Sequence, residues 1–238
     1  MTDVPFVSLP ALMGGQRDSW SALIELSPGL GENWTLAGGQ LVFLHQIERQ
    51  ASDVRPTDDV DVVVDIRAEP SGLRRVHQVL IEAGFAQDMP GPEGTAHRYR
   101  RDAATLDILA PDNVGARARL MLGAGRTVQA PGTTQALRRT ETVTVEIDGQ
   151  TGMIRRPNLI GAVVGKAAAV IKIPSQSAAA RAKHLTDVDS LAKLIGVADR
   201  EHSDLSRSER GLLARLGDAI ELSELARTSL HRLAADET

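Results

Sequence analysis

The sequence predicts an α/β chain of the α+β class, with a mixed sheet in its N-terminal lobe and a helical C-terminal lobe. Up to residue 156, segments with the two-residue alternation of strands are interleaved with segments of helical spacing. From Pro157 onward, the apolar residues follow helical spacing. The chain has 238 residues, 42% of them apolar, which is enough to fill a sizeable core. We therefore predict a lobe over 1–156 and a helical lobe over 157–238.

Strands and helices are expected to follow one another along the N-terminal lobe. Trp34–Ala37 has the composition of a short strand, and Gly38-Gly39 turns the chain into a helix. Gly84 ends a helix with one apolar face, and Asp148-Gly149 between two alternating segments is a strong hairpin signal. The predicted elements are helices at 17–27, after Gly39, at 70–83 and at 112–123, and strands at 34–37, 58–66, 95–101, 104–110, 140–147 and 150–156.

The C-terminal lobe is predicted to be a series of helices. Pro157 fits the first turn of a helix over 159–173, which is expected to end at Pro174-Ser175. An apolar stripe at helical spacing predicts a second helix within 176–196. Ser206 and Glu209 form a capping box that opens a third helix, and a last helix is expected over 222–234.

Composition and charge exclude several classes of protein. The net charge is −4, so binding to nucleic acid through bulk positive charge is excluded and local patches would be needed. Cysteine is absent, which excludes disulfides and thiolate metal sites. The N-terminus lacks the order of a signal peptide, and the most apolar stretch, 159–173, is too short to cross a bilayer. We expect a soluble, cytoplasmic protein without a membrane segment.

Three aspartates lie in apolar segments that are predicted to be strands. Asp59 and Asp61 belong to the segment 59–64, and Asp107 belongs to 105–109. Since strand side chains alternate between two faces, Asp59 and Asp61 point the same way while Val60 packs beneath them. Aspartate has a poor β-propensity and a high desolvation cost. Carboxylates kept on strands therefore need a partner, and a divalent metal ion is the simplest one.

The aspartates and the glycine pair together have the chemistry that nucleotidyl transfer requires. Gly38-Gly39 at a strand-to-helix turn lets the backbone approach phosphate oxygens, and the helix N-terminus offers free N–H groups. Carboxylates two residues apart on one strand face can hold Mg²⁺ or Mn²⁺ ions roughly 3.5–4 Å apart, and a third carboxylate on a neighbouring strand completes the site. Asp58 faces the other way and Asp65 lies roughly 20 Å beyond Asp59, so both are excluded.

Each of these motifs also has an interpretation without function. A Gly-Gly pair is commonly only a turn, and an Asp-x-Asp pair is commonly a solvated strand edge. Their occurrence in this order, with a third aspartate inside an apolar strand, favours a site.

The motifs in this order resemble the nucleotidyltransferase superfamily. The sheet-lobe segments are Leu36-Ala37-Gly38-Gly39-Gln40, Asp59-Val60-Asp61 and Leu106-Asp107-Ile108, and the helical-lobe segments are Lys166-Ala167-Ala168-Ala169 and Arg181-Ala182-Lys183-His184-Leu185-Thr186-Asp187. The helical-lobe segments are similar to those of the AbiEii/MenT-like toxin nucleotidyltransferases. The resemblance covers about residues 34–195, and Gln40 departs from it because that group often has Ser or Thr there.

The resemblance implies an activity, partners and roles for individual residues. The activity is transfer of a nucleotide from a nucleoside triphosphate (NTP) to an RNA acceptor, a tRNA 3′ end, by a toxin that an antitoxin protein neutralises. The implied roles are metal binding and catalysis for Asp59, Asp61 and Asp107, substrate binding for Gly38 and Gly39, triphosphate binding for Lys166, phosphate contacts for Arg181 and Lys183, and closure of the site for Asp187.

Lysine usage independently supports a role for Lys166. The chain contains four lysines against 23 arginines, and all four lie between residues 166 and 193. A compact ammonium group suits a triphosphate as a point charge. The alternative is four surface lysines on helices. Asp187, Arg181 and Lys183 have the same alternative of an ordinary charged helix face, and His184 that of a packed histidine.

The arginine clusters in the sequence do not determine which molecule accepts the nucleotide. They occur at Arg98/Arg100/Arg101, Arg138/Arg139 and Arg155/Arg156 and permit RNA binding through local charge. Only one Tyr and three Phe are present, which argues against a base-stacking platform. The competing functions are the same transfer to a small molecule such as an aminoglycoside or to a protein hydroxyl, and an inactive binding module. The presence of all three aspartates argues against the inactive module.

Overall fold

A mixed six-stranded sheet carries the acidic strands and positions the residues of the predicted site. The computed structural model describes residues 4–115, 118, 120–172, 177–219 and 221–235. Within these ranges the chain is a mixture of helices and strands, which confirms the α+β prediction.

Helices and strands are interleaved up to Pro157, and the elements described after it are helices. The strands are β1 (Phe6–Ser8), β2 (Trp34–Ala37), β3 (Asp59–Val64), β4 (Ala86–Gln87), β5 (Arg98–Arg101), β6 (Ala104–Pro111), β7 (Met121–Leu122), β8 (Gly125–Arg126), β9 (Gln129–Ala130), β10 (Thr140–Ile147) and β11 (Gln150–Pro157). The helices are α1 (Gly14–Leu30), α2 (Gly38–Glu48), α3 (Gly72–Glu82), α4 (Thr133–Arg138), α5 (Leu159–Lys172), α6 (Ala178–Ala192), α7 (Val197–Glu201), α8 (Arg207–Gly217) and α9 (Glu224–Ala234).

The register of the six-stranded sheet brings the acidic residues together. Its order is β2-β3-β6-β5-β4, with β9 beside β6, and β3 and β6 are parallel. Asp61 on β3 lies opposite Asp107 on β6, and on its other side opposite Ala37 at the end of β2. Arg98 on β5 lies opposite Asp107. The glycine turn that follows β2 therefore begins beside the carboxylates.

The larger of two clusters of buried apolar side chains among the described residues extends from the sheet into the helical lobe. It includes Trp20 on α1, Leu106 on β6, Val163 on α5 and Leu213 on α8, all of them almost completely buried. Burial of a large apolar side chain contributes roughly 1.5–3 kcal/mol. The shared core holds α5 and α6 against the sheet lobe, so these helices can contribute side chains to a site on the sheet.

The predicted hairpin is confirmed in a three-stranded sheet of order β1-β10-β11. Asp148 and Gly149 connect β10 to β11 with φ values of 50° and 80°. Two successive residues in the left-handed region form the turn that matches the twist of paired strands.

The helix predicted over 112–123 is wrong for the residues that the structure describes there. Met121–Leu122 is a strand, and Asp112 and Asn113 lie in a turn. The reason is a cap: the Asp112 carboxylate accepts hydrogen bonds from the backbone N–H groups of Gly132 and Thr134 at the start of α4. Asp112 is thus held by a helix that the sequence analysis missed.

Pro157 is also misassigned, since it ends β11 and pairs with Thr140. Asn158 caps the start of α5 instead, because its side-chain oxygen accepts a hydrogen bond from the N–H of Gly161 at 2.9 Å. The capping box of Ser206 and Glu209 is confirmed at the start of α8. The predicted helix end at Pro174-Ser175 lies outside the described residues. Over the part of the chain that is described, no helix has the length and apolar character needed to cross a membrane.

Candidate active site

Three aspartates converge on one patch of the sheet. Asp59 and Asp61 share a face of β3, and Asp107 is the direct partner of Asp61 in the parallel pair. Adjacent strands are about 4.8 Å apart, so these carboxylates are near neighbours. Val60, between the two β3 aspartates, is fully buried beneath them, as the alternation of strand side chains predicts.

Asp61 is the carboxyl group most perturbed by this arrangement. Burial, followed by the charges of Asp107 and Asp59, raises the pKa of Asp61 to about 7. Lys166 and Lys183 act in the opposite direction, which places both ammonium groups within electrostatic reach of the carboxyl. A carboxyl that is difficult to ionise alone is one that a bound cation would ionise and stabilise.

We expect the stability of the metal-free protein to decrease through Asp61 as the pH rises from 5 to 8. The pKa of Asp61 is raised from an ordinary 3.8 to about 7. The contribution of this carboxyl group to the free energy of unfolding is therefore fully present below pH ~4 and is lost as the pH rises through 7. Asp61→Asn removes this titration. Its melting temperature in EDTA should exceed that of the wild type by more at pH 8 than at pH 5, by about 2–4 °C for each kcal/mol. An equal difference at both pH values would contradict the assignment.

Arg98 holds the third carboxylate. Its Nε donates to Oδ1 of Asp107 at 2.7 Å, and its Nη2 donates to Oδ2 at 2.6 Å. The same Nη2 lies 3.6 Å from Oδ2 of Asp59. Sequence analysis included Arg98 in a cluster that permits RNA binding, whereas its guanidinium group lies among the carboxylates.

The glycine turn is shaped by its contact with Asp61. Gly38 has a φ of +66°, and a Cβ atom added to it would overlap with the Asp61 carboxyl group. A Cβ atom on Gly39 would lie 2.8 Å from Cγ2 of Thr57, closer than real contacts allow. Both glycines are therefore required by close approach, and α2 starts directly beside the carboxylates with no side chain capping its first N–H groups.

Gln40 is fully buried, and its side-chain amide links two other segments of the chain by hydrogen bonds. Its Oε1 accepts from Nε1 of Trp20 at 2.7 Å, and its Nε2 donates to the backbone oxygen of Thr57. The Thr57 hydroxyl in turn donates to Oδ1 of Asp59 at 2.8 Å. Thr57, which sequence analysis did not select, thus provides a hydroxyl group next to the aspartates and orients one of them.

An ion-paired triad forms the wall opposite the sheet. Lys166 on α5 donates to Oδ2 of Asp187 on α6 at 2.7 Å, and Arg55 donates to Oδ1 of Asp187 at 2.9 Å. Lys166 is 8% exposed and Asp187 is 1% exposed. Asp187 therefore positions two cations, and Arg55 comes from a loop that carried no recognisable signal in the sequence.

A cavity of about 310 Å³ separates the sheet from this wall. Gly38 and Asp61 line it from the sheet side, and Lys166 and His184 line it from α5 and α6. The rest of its lining is mostly small and apolar and includes Ala37, Leu109, Ala130, Ala136, Ala162 and Ala169. The volume is at the lower end of the range for small-molecule sites, about 300–1,000 Å³.

His184 enters the cavity as a neutral side chain. Burial, with a further contribution from Lys166, lowers the pKa of His184 from its ordinary 6.5. Its Nδ1 is buried and, among the described residues, has no hydrogen-bond partner. Sequence analysis favoured a packed histidine here, and the structure adds a polar atom that remains to be satisfied by a ligand or water.

Lys183 and Arg181, the other helical-lobe residues selected from the sequence, lie in different surroundings. Lys183 is exposed and acts electrostatically on Asp61. Arg181 instead pairs with Glu221 at 2.9 Å and lines a separate surface pocket between α6 and the segment before α9. Lys193 forms an ordinary ion pair with Asp189 one helical turn away. The confinement of lysine to this segment therefore does not by itself identify site residues.

The arginine clusters are mainly engaged within the protein. Arg98 pairs with Asp107, Arg100 with Asp88, Arg101 with Glu25, Arg139 with Glu209, and Arg156 with Glu48. A carboxylate that pairs with an arginine offsets its positive charge and weakens its attraction for an RNA phosphate. The clusters consequently give less support to RNA binding than the sequence indicates.

The aspartates fit Mg²⁺ in their chemistry, but Arg98 holds one of them in a two-pronged contact. Carboxylate oxygens are the donors that Mg²⁺ prefers, and Asp59 and Asp61 present them on one strand face. Both oxygens of Asp107 are held by Arg98. Among the described residues, no three His, Cys, Asp or Glu side chains are placed to hold a metal ion together. Binding of a cation through both oxygens of Asp107 would require Arg98 to leave them.

Comparison with protein-family models and with curated protein sequences gives no significant match. The function is therefore inferred from the side chains of this site.

Proposed function

We propose that the chain is a metal-dependent nucleotidyltransferase that moves a nucleoside monophosphate from an NTP to an acceptor hydroxyl. The observation that carries the proposal is the meeting of two kinds of group around one cavity. Asp61, with Asp59 and Asp107 beside it, lies on one side next to Gly38, and Lys166 lies on the other. Carboxylates for a cation and an ammonium group for a triphosphate are the two requirements of this chemistry.

In the proposed reaction, the acceptor oxygen forms a bond to the α-phosphorus of the NTP, and the bond from that phosphorus to the pyrophosphate oxygen breaks. Pyrophosphate leaves, and a carboxylate of the cluster takes the proton of the hydroxyl group. Mg²⁺ or Mn²⁺, held by Asp59 and Asp61, would neutralise the phosphate oxygens. Lys166 would bind the β- and γ-phosphates and stabilise the charge that develops on the leaving group.

The apolar part of the cavity is suited to the nucleoside. Alanine and leucine side chains in its lining offer an apolar surface for a base, and Asp61 and Lys166 in the same lining are the groups near which the phosphates would bind. Thr57 and Arg98 orient the carboxylates, and Asp187 orients Lys166.

For the acceptor, we propose the 3′ end of a tRNA in the cytoplasm, with an antitoxin protein as a neutralising partner, on the basis of the toxin-like helical segments. The internal pairing of the arginines favours a second acceptor class, a small-molecule or protein hydroxyl.

The decisive experiment incubates the protein with each α-³²P-labelled NTP, Mg²⁺ and, in separate reactions, total RNA, an aminoglycoside mixture or cell protein. Label should transfer to one acceptor class, and EDTA should abolish the transfer. Labelled tRNA would support the toxin proposal, and labelled aminoglycoside or protein would support the second class. Absence of transfer with every NTP and acceptor would contradict the proposal and leave a binding module.

Gly38→Ala should reduce transfer by about 10²-fold or more, because the added methyl group displaces the Asp61 carboxyl and small misplacements at a reacting centre have effects of this size. Gly149→Ala is the matched control. Its φ is +80°, yet an added Cβ would have nothing within 4 Å. Both variants should lose about 1 kcal/mol of stability from left-handed backbone, and Gly38→Ala should lose more because its Cβ overlaps with the Asp61 carboxyl. Only Gly38→Ala should lose activity, which is measured under conditions where both variants are folded. Equal turnover in the two variants would show that the contact with Asp61 is unimportant.

A further inference from the structure

Arg98 occupies the carboxylate oxygens that a cation bound to Asp107 and Asp59 would use. Its guanidinium group forms a two-pronged contact with Asp107, and its Nη2 also approaches Asp59. The Arg98 side chain is 34% exposed, whereas that of Asp107 is 7% exposed. The positive group can therefore move into solvent, while the carboxylate that it neutralises cannot.

We propose that Arg98 is an exchangeable counter-ion, which a divalent cation displaces from Asp107 when the site is loaded. The inference rests on the proposed function, since it assigns Asp107 as a metal ligand. A fork-shaped guanidinium group occupies both oxygens of a carboxylate, and its charge repels a second cation at the same place. Without a metal ion, Arg98 offsets the repulsion among carboxylates that raises the free energy of the empty site.

Displacement also gives Arg98 a new role. A guanidinium group released beside the cation site has the planar donor geometry that matches phosphate oxygens. It would change partner from Asp107 to the triphosphate of the NTP. Arg98 is thus a positioning residue in the empty site and a substrate contact in the loaded one.

The test is direct Mn²⁺ binding to the nucleotide-free protein, measured by the electron paramagnetic resonance signal of free Mn²⁺. Arg98→Gln removes the competitor and should bind Mn²⁺ about 10-fold more tightly than the wild type. Arg98→Lys, which keeps the charge but not the fork, should be intermediate. Arg100→Gln is the matched control, because Arg100 is on the same face of β5 and pairs with Asp88. Its Mn²⁺ affinity should equal that of the wild type.

A gain in affinity has the opposite sign from the effect of structural damage, which weakens metal binding. Unchanged or weaker Mn²⁺ binding in Arg98→Gln would overturn the proposal. So would a gain that survives in the double variant Arg98→Gln/Asp107→Asn, because the released carboxylate would then not be the ligand. The labelling assay separates the two proposals. If the wild type transfers label but Arg98→Gln shows no gain in Mn²⁺ affinity, only the exchange by Arg98 is refuted. If Arg98→Gln gains Mn²⁺ affinity but no label is transferred, only the proposed reaction is refuted.

Discussion

Asp61→Asn should lower nucleotidyl transfer by about 10³-fold while the protein stays folded. Asp61 is the carboxyl group nearest to the glycine turn and lies beside Asp107 in the sheet. The variant would lose a negative oxygen that the proposed cation needs, but it retains the size of the side chain and opens no space in the core. Because the substitution also removes a charge that is unfavourable in the metal-free fold, activity and stability should change in opposite directions.

The matched control for this variant is Asp58→Asn. Asp58 precedes β3, its side chain is exposed, and it lies outside the cavity lining. Turnover should be unchanged in the control. The measurement is the initial rate of α-³²P transfer at saturating Mg²⁺, with the melting temperature of each variant recorded alongside. Wild-type turnover in Asp61→Asn would remove Asp61 from the reaction, whatever its effect on stability.

The sheet part of the site could be predicted because it depends on local periodicity. Two-residue alternation is enough to place Asp59 and Asp61 on one face with Val60 beneath. The position of Arg98 opposite Asp107 could also be predicted from the sequence. Asp102 and Ala103 form a two-residue turn between β5 and β6, and the register of such a hairpin sets residue 98 opposite residue 107.

Contacts over long sequence separations could not be predicted in this way. Arg55 reaches Asp187 across 132 residues, and no spacing or composition marks Arg55 in its loop. The same applies to Asp112, which looks like the start of a helix until the N-terminus of α4, about twenty residues later, takes up its carboxylate. In both cases the tertiary partner decides what the residue does, and the local sequence is compatible with several outcomes.

The segment that contains the lysines includes Lys166, but the sequence does not distinguish Lys166 from the other three lysines. All four lysines lie in one segment, yet Lys193 and Lys172 are about 39% and 45% exposed, whereas the Lys166 side chain is 10% exposed. A buried ammonium group needs a partner, and Asp187 provides it. Burial, which composition does not reveal, is what distinguishes Lys166.

If the proposed function holds, Lys166→Met should reduce turnover by roughly 10²-fold or more, because it removes the charge that would stabilise departing pyrophosphate. Lys166→Arg should not restore it, since a planar fork cannot replace a compact ammonium group in the buried position beside Asp187. Lys172→Met is the matched control. Lys172 lies on the same helix, is exposed, and does not line the cavity. Its Nζ lies 3.9 Å from Oδ2 of Asp112. The measurement is the single-turnover rate of transfer for each variant.

A double-mutant cycle with Asp187→Asn then separates positioning from direct participation. If Asp187 acts by orienting Lys166, Asp187→Asn should slow the wild type, but it should have little further effect in Lys166→Met. Arg55 would keep one contact with the substituted side chain in both backgrounds, so the two comparisons are matched. Additive losses would instead mean that Asp187 contacts the substrate itself. Turnover of Lys166→Met equal to that of Lys172→Met would remove the helical wall from the reaction and confine the chemistry to the sheet.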